Sequence, residues 1–309
     1  MKISRRDIIM RAIQFSEYGS PEVLQLVDVD APSPGKGELK IKTLATGVNP
    51  ADFKWRGGLF QQVMPLQLPH IVGYDVAGVV SEVGEDVTDF RVGDRVTASV
   101  QRGYAEFVTT PASFCAKVPD DLEIAEAAAL PCAALTGVQL IEDGLRPTPG
   151  QTVLITGAVG SVGRFAVHAA LSLGVRVVAA VRPSQFDEVR AMGVDTIIDL
   201  GSGTAGDLSF DHVADTVGGP AVAGLCKNLV PGGSILTVAT TPVNPEGLAA
   251  TPTFFGFHPD GERLAALIRD VVSGKVSMPV ARRLPLTDAA EAHRLAEAGG
   301  LGGKVILIL

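Results

Sequence analysis

The stretch that most constrains this chain is Gly157-Ala158-Val159-Gly160-Ser161-Val162-Gly163. A short β-branched run, Thr152 to Thr156, precedes it and opens after Pro149-Gly150. A run of that length and composition predicts a buried parallel strand. Downstream, Phe165, Ala166, Ala169 and Leu173 recur at helical spacing before Gly174, which predicts a helix with those four side chains inward. Strand, glycine turn and helix N-terminus together make a phosphate cradle. Backbone N–H groups without a Cβ in the way can approach a pyrophosphate, and the helix dipole favours its charge. A strand-to-helix turn needs glycine in any case, so the spacing alone does not decide the matter. The context does: residues 175–181 read as a second strand, completing a βαβ unit of about thirty residues.

The alternation continues. Strands are expected at 152–156, 175–181, 195–198, 211–215, 234–238 and 253–257, which predicts a doubly wound parallel sheet. The link at 200–208 is short and glycine-rich, with room for barely one helical turn. Residues 10–120 read instead as mostly β, with short runs at 11–17, 24–29, 39–47, 76–83, 95–100 and 105–109. Turn clusters such as Pro32-Ser33-Pro34-Gly35 and Arg91-Val92-Gly93-Asp94 separate them, and their density suits a compact irregular barrel. Residues 124–130 and 133–143 are helical around Pro131. Asp260 caps a helix carrying Leu264, Leu267, Ile268, Val271 and Val272 on one face. A strand near Val280, a helix at 288–298 opened by a capping-box-like Asp288-x-x-Glu291 pair, and a strand at 304–309 close the chain. The expected α/β organisation has three segments: a β-rich first part at 1–123, the parallel sheet at 124–257, and a return to the first part at 258–309.

Composition excludes several functions. In 309 residues, 46% hydrophobic and 19% charged content suits a sizeable core and excludes disorder. A net charge of −8 with no Lys/Arg run argues against nucleic acid as a partner. No apolar stretch reaches transmembrane length, so no membrane partner is expected. Residues 1–9 are too polar for a signal peptide, and Met10 looks like the start of the first strand, so they read as an upstream extension. Cys115, Cys132 and Cys226 are scattered with no CxxC pair, and a reduced cytosol is the simplest compartment.

The cradle calls for a dinucleotide, and the second strand indicates which. A site for NADH places Asp or Glu at the end of that strand to bind the ribose 2′-OH. Here the strand ends Ala180-Val181-Arg182-Pro183-Ser184, with an arginine and no carboxylate. A guanidinium suits a 2′-phosphate through forked, charge-assisted bonds, so NADPH is expected. The competing reading of Arg182 is a solvated loop charge.

Several motifs now converge. Gly73-Tyr74-Asp75-Val76-Ala77-Gly78, Phe90-Arg91-Val92-Gly93-Asp94-Arg95-Val96, Leu130-Pro131, Leu135-Thr136-Gly137, Asp215-Thr216-Val217-Gly218-Gly219 and Gly302-Gly303-Lys304-Val305 accompany the cradle. With them the chain resembles the medium-chain dehydrogenase/reductase superfamily over nearly its whole length from Met10. That resemblance implies a GroES-like β-barrel catalytic domain plus a Rossmann domain. Gly47-Val48-Asn49-Pro50-Ala51-Asp52 resembles the zinc-independent quinone oxidoreductases of the zeta-crystallin type. Zinc alcohol dehydrogenases carry a cysteine near Asn49 and Gly-His-Glu where this chain has Gly73-Tyr74-Asp75. Cys132 has the offset of a zinc ligand, but one thiolate cannot hold zinc and the five histidines show no ligand spacing, so no metal is expected.

The resemblance implies an enzyme that passes hydride from NADPH to a quinone or similar electrophilic carbonyl acceptor. Such a hydride acceptor needs no strong general acid, because the hydroquinone anion is stabilised. Asn49 and Asp52 are the catalytic candidates, Asn49 as donor to the developing oxyanion. Trp55 and Phe60 are the pocket candidates. The cofactor set comprises Thr136, Gly157, Ala158, Gly160, Ser161, Val162, Gly163, Ala180, Arg182, Ser184, Val217, Ala239, Phe255, Phe257 and Lys304. Each has a plainer reading: Asn49-Pro50 as turn chemistry, Asp52 paired with an arginine such as Arg56, the aromatic residues as ordinary core. Tyr74 and Tyr104 are possible proton donors that look more like packing residues. Reduction of an enone or enal is the alternative reaction, and a non-catalytic NADPH-binding sensor or structural protein is the alternative class. Relatives of this kind often dimerise, so a homodimer is expected.

Overall fold

The computed structural model describes residues 9–309; the upstream extension expected at 1–9 lies, except for Ile9, outside the described residues. The chain forms two compact units. One runs through Cys132 and takes up the chain again at Pro259–Val272 and Met278–Leu309, and the other is Ala133–His258 with Ser273–Ser277.

The first unit begins with β1 (Ile9–Phe15), β2 (Gln25–Asp30), β3 (Glu38–Gly47), α1 (Pro50–Arg56), β4 (His70–Ile71), β5 (Asp75–Val83), β6 (Arg95–Ser99), β7 (Phe107–Pro111), β8 (Cys115–Lys117) and α2 (Ile124–Ala128), and α3 (Pro131–Gln139) leads out of it. The second unit carries β9 (Thr152–Thr156), α4 (Ser161–Ser172), β10 (Arg176–Val181), α5 (Phe186–Ala191), β11 (Thr196–Asp199), β12 (Phe210–Asp215), α6 (Gly219–Cys226), β13 (Leu229–Thr237) and β14 (Thr253–Phe254). The chain closes in the first unit with α7 (Gly261–Val272), β15 (Val280–Pro285), α8 (Ala289–Ala298) and β16 (Lys304–Ile308).

In the first unit one sheet has the order β15-β16-β3-β5-β6-β8, with β7 also on β3, and a smaller sheet has the order β2-β1-β4. Gly47, at the end of β3, is the junction that matters for function. It stands opposite Asp75 of β5 and opposite Ile306 of β16. A Cβ there would come 2.6 Å from the Ala128 carbonyl and 3.0 Å from the Asp75 carboxylate, so only glycine permits this approach. The antiparallel register that pairs Ile306 with Gly47 brings Lys304 level with Asn49, and the Val48 N–H donates to the Val305 carbonyl at 2.9 Å.

The second unit is a six-stranded sheet ordered β11-β10-β9-β12-β13-β14, with every pair parallel. Strands buried on both faces read as continuous apolar runs, and Val153, Leu154 and Ile155 of β9 are fully buried. The 200–208 link contains only a 3-10 turn, Leu200–Ser202. Details differ from expectation: β13 starts at Leu229 rather than at residue 234, and Val272 at the end of α7 is exposed. Leu173 is exposed rather than inward: it is the C-cap of α4, where the chain already turns into Gly174 at φ +70°, and Val167 and Ala170 fill the buried stripe. β14 ends at Phe254 instead of running to residue 257. Asp288 and Glu291 form no capping box, because Glu291 is drawn to Arg294 at 2.8 Å and Asp288 accepts from its neighbour Thr287.

Candidate active site

In the second unit the phosphate cradle takes the expected form. Gly157 sits at φ +62°, where a Cβ would also strike the Thr216 hydroxyl at 2.6 Å. A Cβ on Gly163 would lie 2.1 Å from the Gly157 carbonyl, so the turn and the first turn of α4 pack backbone on backbone. Gly160 is the N-cap of α4, and Ser161, Val162 and Gly163 follow in its first turn, whose N–H groups have no intrahelical partner. This cradle fits a dinucleotide pyrophosphate. Gly157 N–H donates to the Ala180 carbonyl at 2.8 Å, which holds the end of β10 beside the turn. Ala158 and Ala180 are buried; Arg182 and Ser184 lie exposed just past β10. Among the described residues, Arg182 donates hydrogen bonds only to Gln185 Oε1, at 3.3 Å from its N–H and 3.5 Å from Nε.

One organiser of this edge was quoted in a sequence motif without a role. Asp215, fully buried at the end of β12, accepts from Thr156 Oγ1 at 2.7 Å, Val217 N at 3.0 Å, Gly218 N at 2.9 Å and Thr237 Oγ1 at 2.6 Å. Thr237 Oγ1 in turn accepts from Ala239 N at 3.0 Å. One carboxylate therefore ties the ends of β9, β12 and β13 and positions both Val217 and Ala239. A buried Asp facing two threonines was the available signal. Phe255 is fixed by its N–H on the Thr237 carbonyl at 2.8 Å and by Gly144, where a Cβ would touch its ring at 3.1 Å. Gln139 brackets the chain just past Phe257 by paired bonds to the backbone of His258, both 2.9 Å. Thr136 is buried on α3.

In the first unit the structure gathers Asn49, Asp52 and Lys304 around Asp75. Asn49 caps α1, and its N–H donates to Asp52 Oδ2 at 2.7 Å. Its side chain turns the other way: Nδ2 donates to Asp75 Oδ2 at 2.7 Å, and Oδ1 accepts from Lys304 Nζ at 2.6 Å. Lys304 also lies 3.4 Å from Asp75 Oδ2, and the Cys132 N–H donates to Asp75 Oδ1 at 2.7 Å. Burial pushes the Asp75 carboxyl up, while Lys304 and the two N–H donors pull it back. All of its carboxyl contacts are donors, so the ionised form is the one this geometry satisfies.

Asp52 is not paired with an arginine. It accepts from Tyr104 Oη at 3.2 Å, and Tyr104 in turn is 3.2 Å from His293 Nε2. Burial, reinforced by the charge of Asp75, raises the Asp52 carboxyl to about 7. Burial lowers His293 to about 3, with help from Arg56, and holds the Tyr104 phenol well above its usual range. A neutral His293 beside a phenol that donates to Asp52 carries its hydrogen on Nε2, which leaves Nδ1 as an unpartnered buried acceptor. Tyr104 and His293 were missed as a chain because 189 residues separate them. Arg56 pairs instead with Glu297. The Trp55 and Phe60 rings are in contact, centroids 4.8 Å apart and planes tilted by 56°. Burial, then the charge of Asp52, raises Tyr74 as well, so both phenols stay protonated.

A GroES-like barrel and a doubly wound sheet with a glycine cradle, in one chain, define a nicotinamide-type oxidoreductase. The family model described as alcohol dehydrogenase GroES-like domain matches residues 35–120, and the one described as zinc-binding dehydrogenase matches residues 173–307. The chain is 31% identical to the 2-methylene-furan-3-one reductase of Solanum lycopersicum, over 96% of this chain and 79% of that protein. It is similar to the solved quinone oxidoreductase of Coxiella burnetii, with a TM-score of 0.85, 28% identity, and coverage of 98% of this chain and 100% of that one. A mycobacterial protein solved in complex with NADPH superposes with a TM-score of 0.82 and 33% identity over 97% of this chain and 100% of that one. The chain belongs to the medium-chain dehydrogenase/reductase superfamily, in its quinone oxidoreductase branch.

The zinc that one family description implies does not fit the residues present. Asp75 and Asn49 are bridged by the Lys304 ammonium, and among the described residues no group of three or more His, Cys, Asp or Glu lies together. Among them, too, no helix is long and apolar enough to cross a membrane.

Proposed function

We propose that this oxidoreductase uses NADPH to reduce a quinone-type carbonyl acceptor without a metal. The observation that carries the reading is the Asn49 carboxamide: its Nδ2 retains a second hydrogen with no acceptor among the described residues, beside the buried charges of Lys304 and Asp75. NADPH, when bound, supplies the hydride. Gly157, Gly160, Gly163 and the first turn of α4 would hold its pyrophosphate, with Ala158, Ser161, Val162, Val217 and Ala239 along the same edge. Arg182 and Ser184 would meet the 2′-phosphate, and Thr136, Phe255 and Phe257 would orient the nicotinamide end. Trp55 and Phe60 would bound the acceptor. Asn49 donates to the acceptor oxygen as negative charge develops there. Both phenols in the cluster are weak acids, which suits an acceptor whose reduced anion can take its proton from solvent. We further propose that the protein is a homodimer.

The test is oxidation of NADPH and of NADH with 1,4-benzoquinone and with an α,β-unsaturated ketone. Turnover with the quinone and a preference for NADPH are expected. Tight NADPH binding with no oxidation by either acceptor would favour a non-catalytic sensor. Arg182→Ala should cut the NADPH/NADH ratio of kcat/KM by about tenfold, from the loss of one screened charge pair. Turnover with the enone alone would favour alkene reduction, a reading that the tomato reductase supports. Stoichiometric zinc in the purified protein would overturn the metal-free reading.

A further inference from the structure

We propose that Lys304 and Asp75 form a charged clamp that sets the orientation of the Asn49 carboxamide and leaves one Nδ2 hydrogen for the acceptor oxygen. This rests on the proposed role of Asn49.

The two ends of a carboxamide are nearly the same size, so an asparagine in a pocket of neutral groups can sit either way round. Asn49 cannot. Lys304 Nζ, which only donates, is 2.6 Å from one end, and Asp75 Oδ2, which accepts here, is 2.7 Å from the other. Asp75 is itself fixed by the Cys132 N–H on Oδ1 and by Thr46 Oγ1 on its carbonyl at 2.6 Å. All three side chains are buried, Lys304 being 5% exposed, so water screens these contacts little. The ammonium on Oδ1 draws electron density out of the amide and makes the remaining N–H a stronger donor. The clamp is assembled by three separate segments: Asn49 follows β3, Asp75 opens β5 and Lys304 opens β16. Lys304 acts through Asn49 and is therefore a positioning residue. The resemblance implies a place near the cofactor, and in the structure its ammonium bonds Asn49 and Asp75.

The chain contains only three asparagines, Asn49, Asn228 and Asn244, so the amide can be watched directly. In cofactor-free protein labelled with ¹⁵N-asparagine, the Asn49 side-chain pair is the one lost in Asn49→Ala. Its two hydrogens should be well separated in chemical shift. The pair should move in Lys304→Met and in Asp75→Ala, with Asn228 and Asn244 unmoved. Kinetically, Lys304→Met should lower kcat by about ten- to a hundredfold, somewhat less than direct loss of an oxyanion donor. NADPH affinity by fluorescence should stay within about twofold. Adding Lys304→Met to Asn49→Ala should cost little more than Asn49→Ala alone, because Lys304 acts only through Asn49. Lys304→Arg should recover part of the rate. Should Lys304→Met strand Asp75 and prevent folding, the double variant Lys304→Met/Asp75→Ala removes both charges and carries the same expectations. An Asn49 pair that stays put in Lys304→Met overturns the clamp. So does NADPH affinity weakened about tenfold with kcat intact, which would make Lys304 a cofactor contact. A wild-type protein that reduces no acceptor defeats the proposed function, and the amide shifts still decide the clamp.

Discussion

Asp52 shows how one buried residue ties this site to pH. Its Oδ2 serves two donors, the Asn49 N–H and the Tyr104 hydroxyl, while its Oδ1 has no partner. Burial outweighs those bonds and raises the carboxyl from 3.8 to about 7. In the unfolded chain the group ionises near 4, so between about pH 4 and 7 the folded state holds the extra proton. Its contribution to stability is full below pH 4 and is lost as pH rises through 7. Asp52→Asn keeps an acceptor for both donors and cannot ionise. Relative to wild type, the variant should gain stability progressively from pH 4 to 7, by a few kcal/mol at pH 8. Urea unfolding at pH 5 and pH 8 checks this, and equal differences at the two values would refute it. From sequence alone Asp52 had two readings, catalytic candidate or partner of Arg56. Its desolvation depends on Tyr104 and His293 arriving from distant segments, which no local pattern reports.

Among the elements, the ends of the parallel strands carry the most information. Asp215 joins β9, β12 and β13 through four accepted hydrogen bonds, and its loss leaves two hydroxyls and two N–H groups without their acceptor. Asp215→Ala should destabilise the protein by about 2–4 kcal/mol in urea unfolding, and Asp215→Asn by less than half of that. Gly163→Ala acts at the other side of the cradle. A Cβ 2.1 Å from the Gly157 carbonyl must push α4 away from the turn, so NADPH binding by fluorescence should weaken at least tenfold. Binding at wild-type affinity would mean that the turn yields. Here the sequence was highly legible: β9 has the expected bounds, and the strands flanking it are within one residue of expectation. What escaped was the early start of β13, at Leu229, and the early end of β14, where Phe255 leaves the strand to pack against Gly144 in the π-helical turn at Leu140–Leu145.

At the scale of the whole molecule, ligand binding gives the cleanest measure of the functional reading. A ligand that binds only the folded chain stabilises it by about 2.7 kcal/mol at a hundredfold excess over its Kd. NADPH at that concentration should raise the unfolding midpoint by roughly 5 °C, and NADH at the same concentration by less. An equal rise with both would remove the case for Arg182 as the selector of the phosphate. The chain returns to its first unit after residue 258 to supply β16, and with it Lys304, to a sheet begun at β3. Asn49 and Lys304, 255 positions apart, are therefore sheet neighbours.

The amino-acid sequence by itself determined the parallel sheet and the glycine cradle. Those depend on periodicity and on glycines within a few positions of one another, and short-range sterics are written locally. Only the tertiary structure decided what the polar residues do to each other. Whether Asn49 presents oxygen or nitrogen, whether Asp52 is charged, and whether Lys304 meets a carboxamide are set by distance and by exclusion of water. Both depend on strand register, and register is a property of the folded sheet rather than of any one segment.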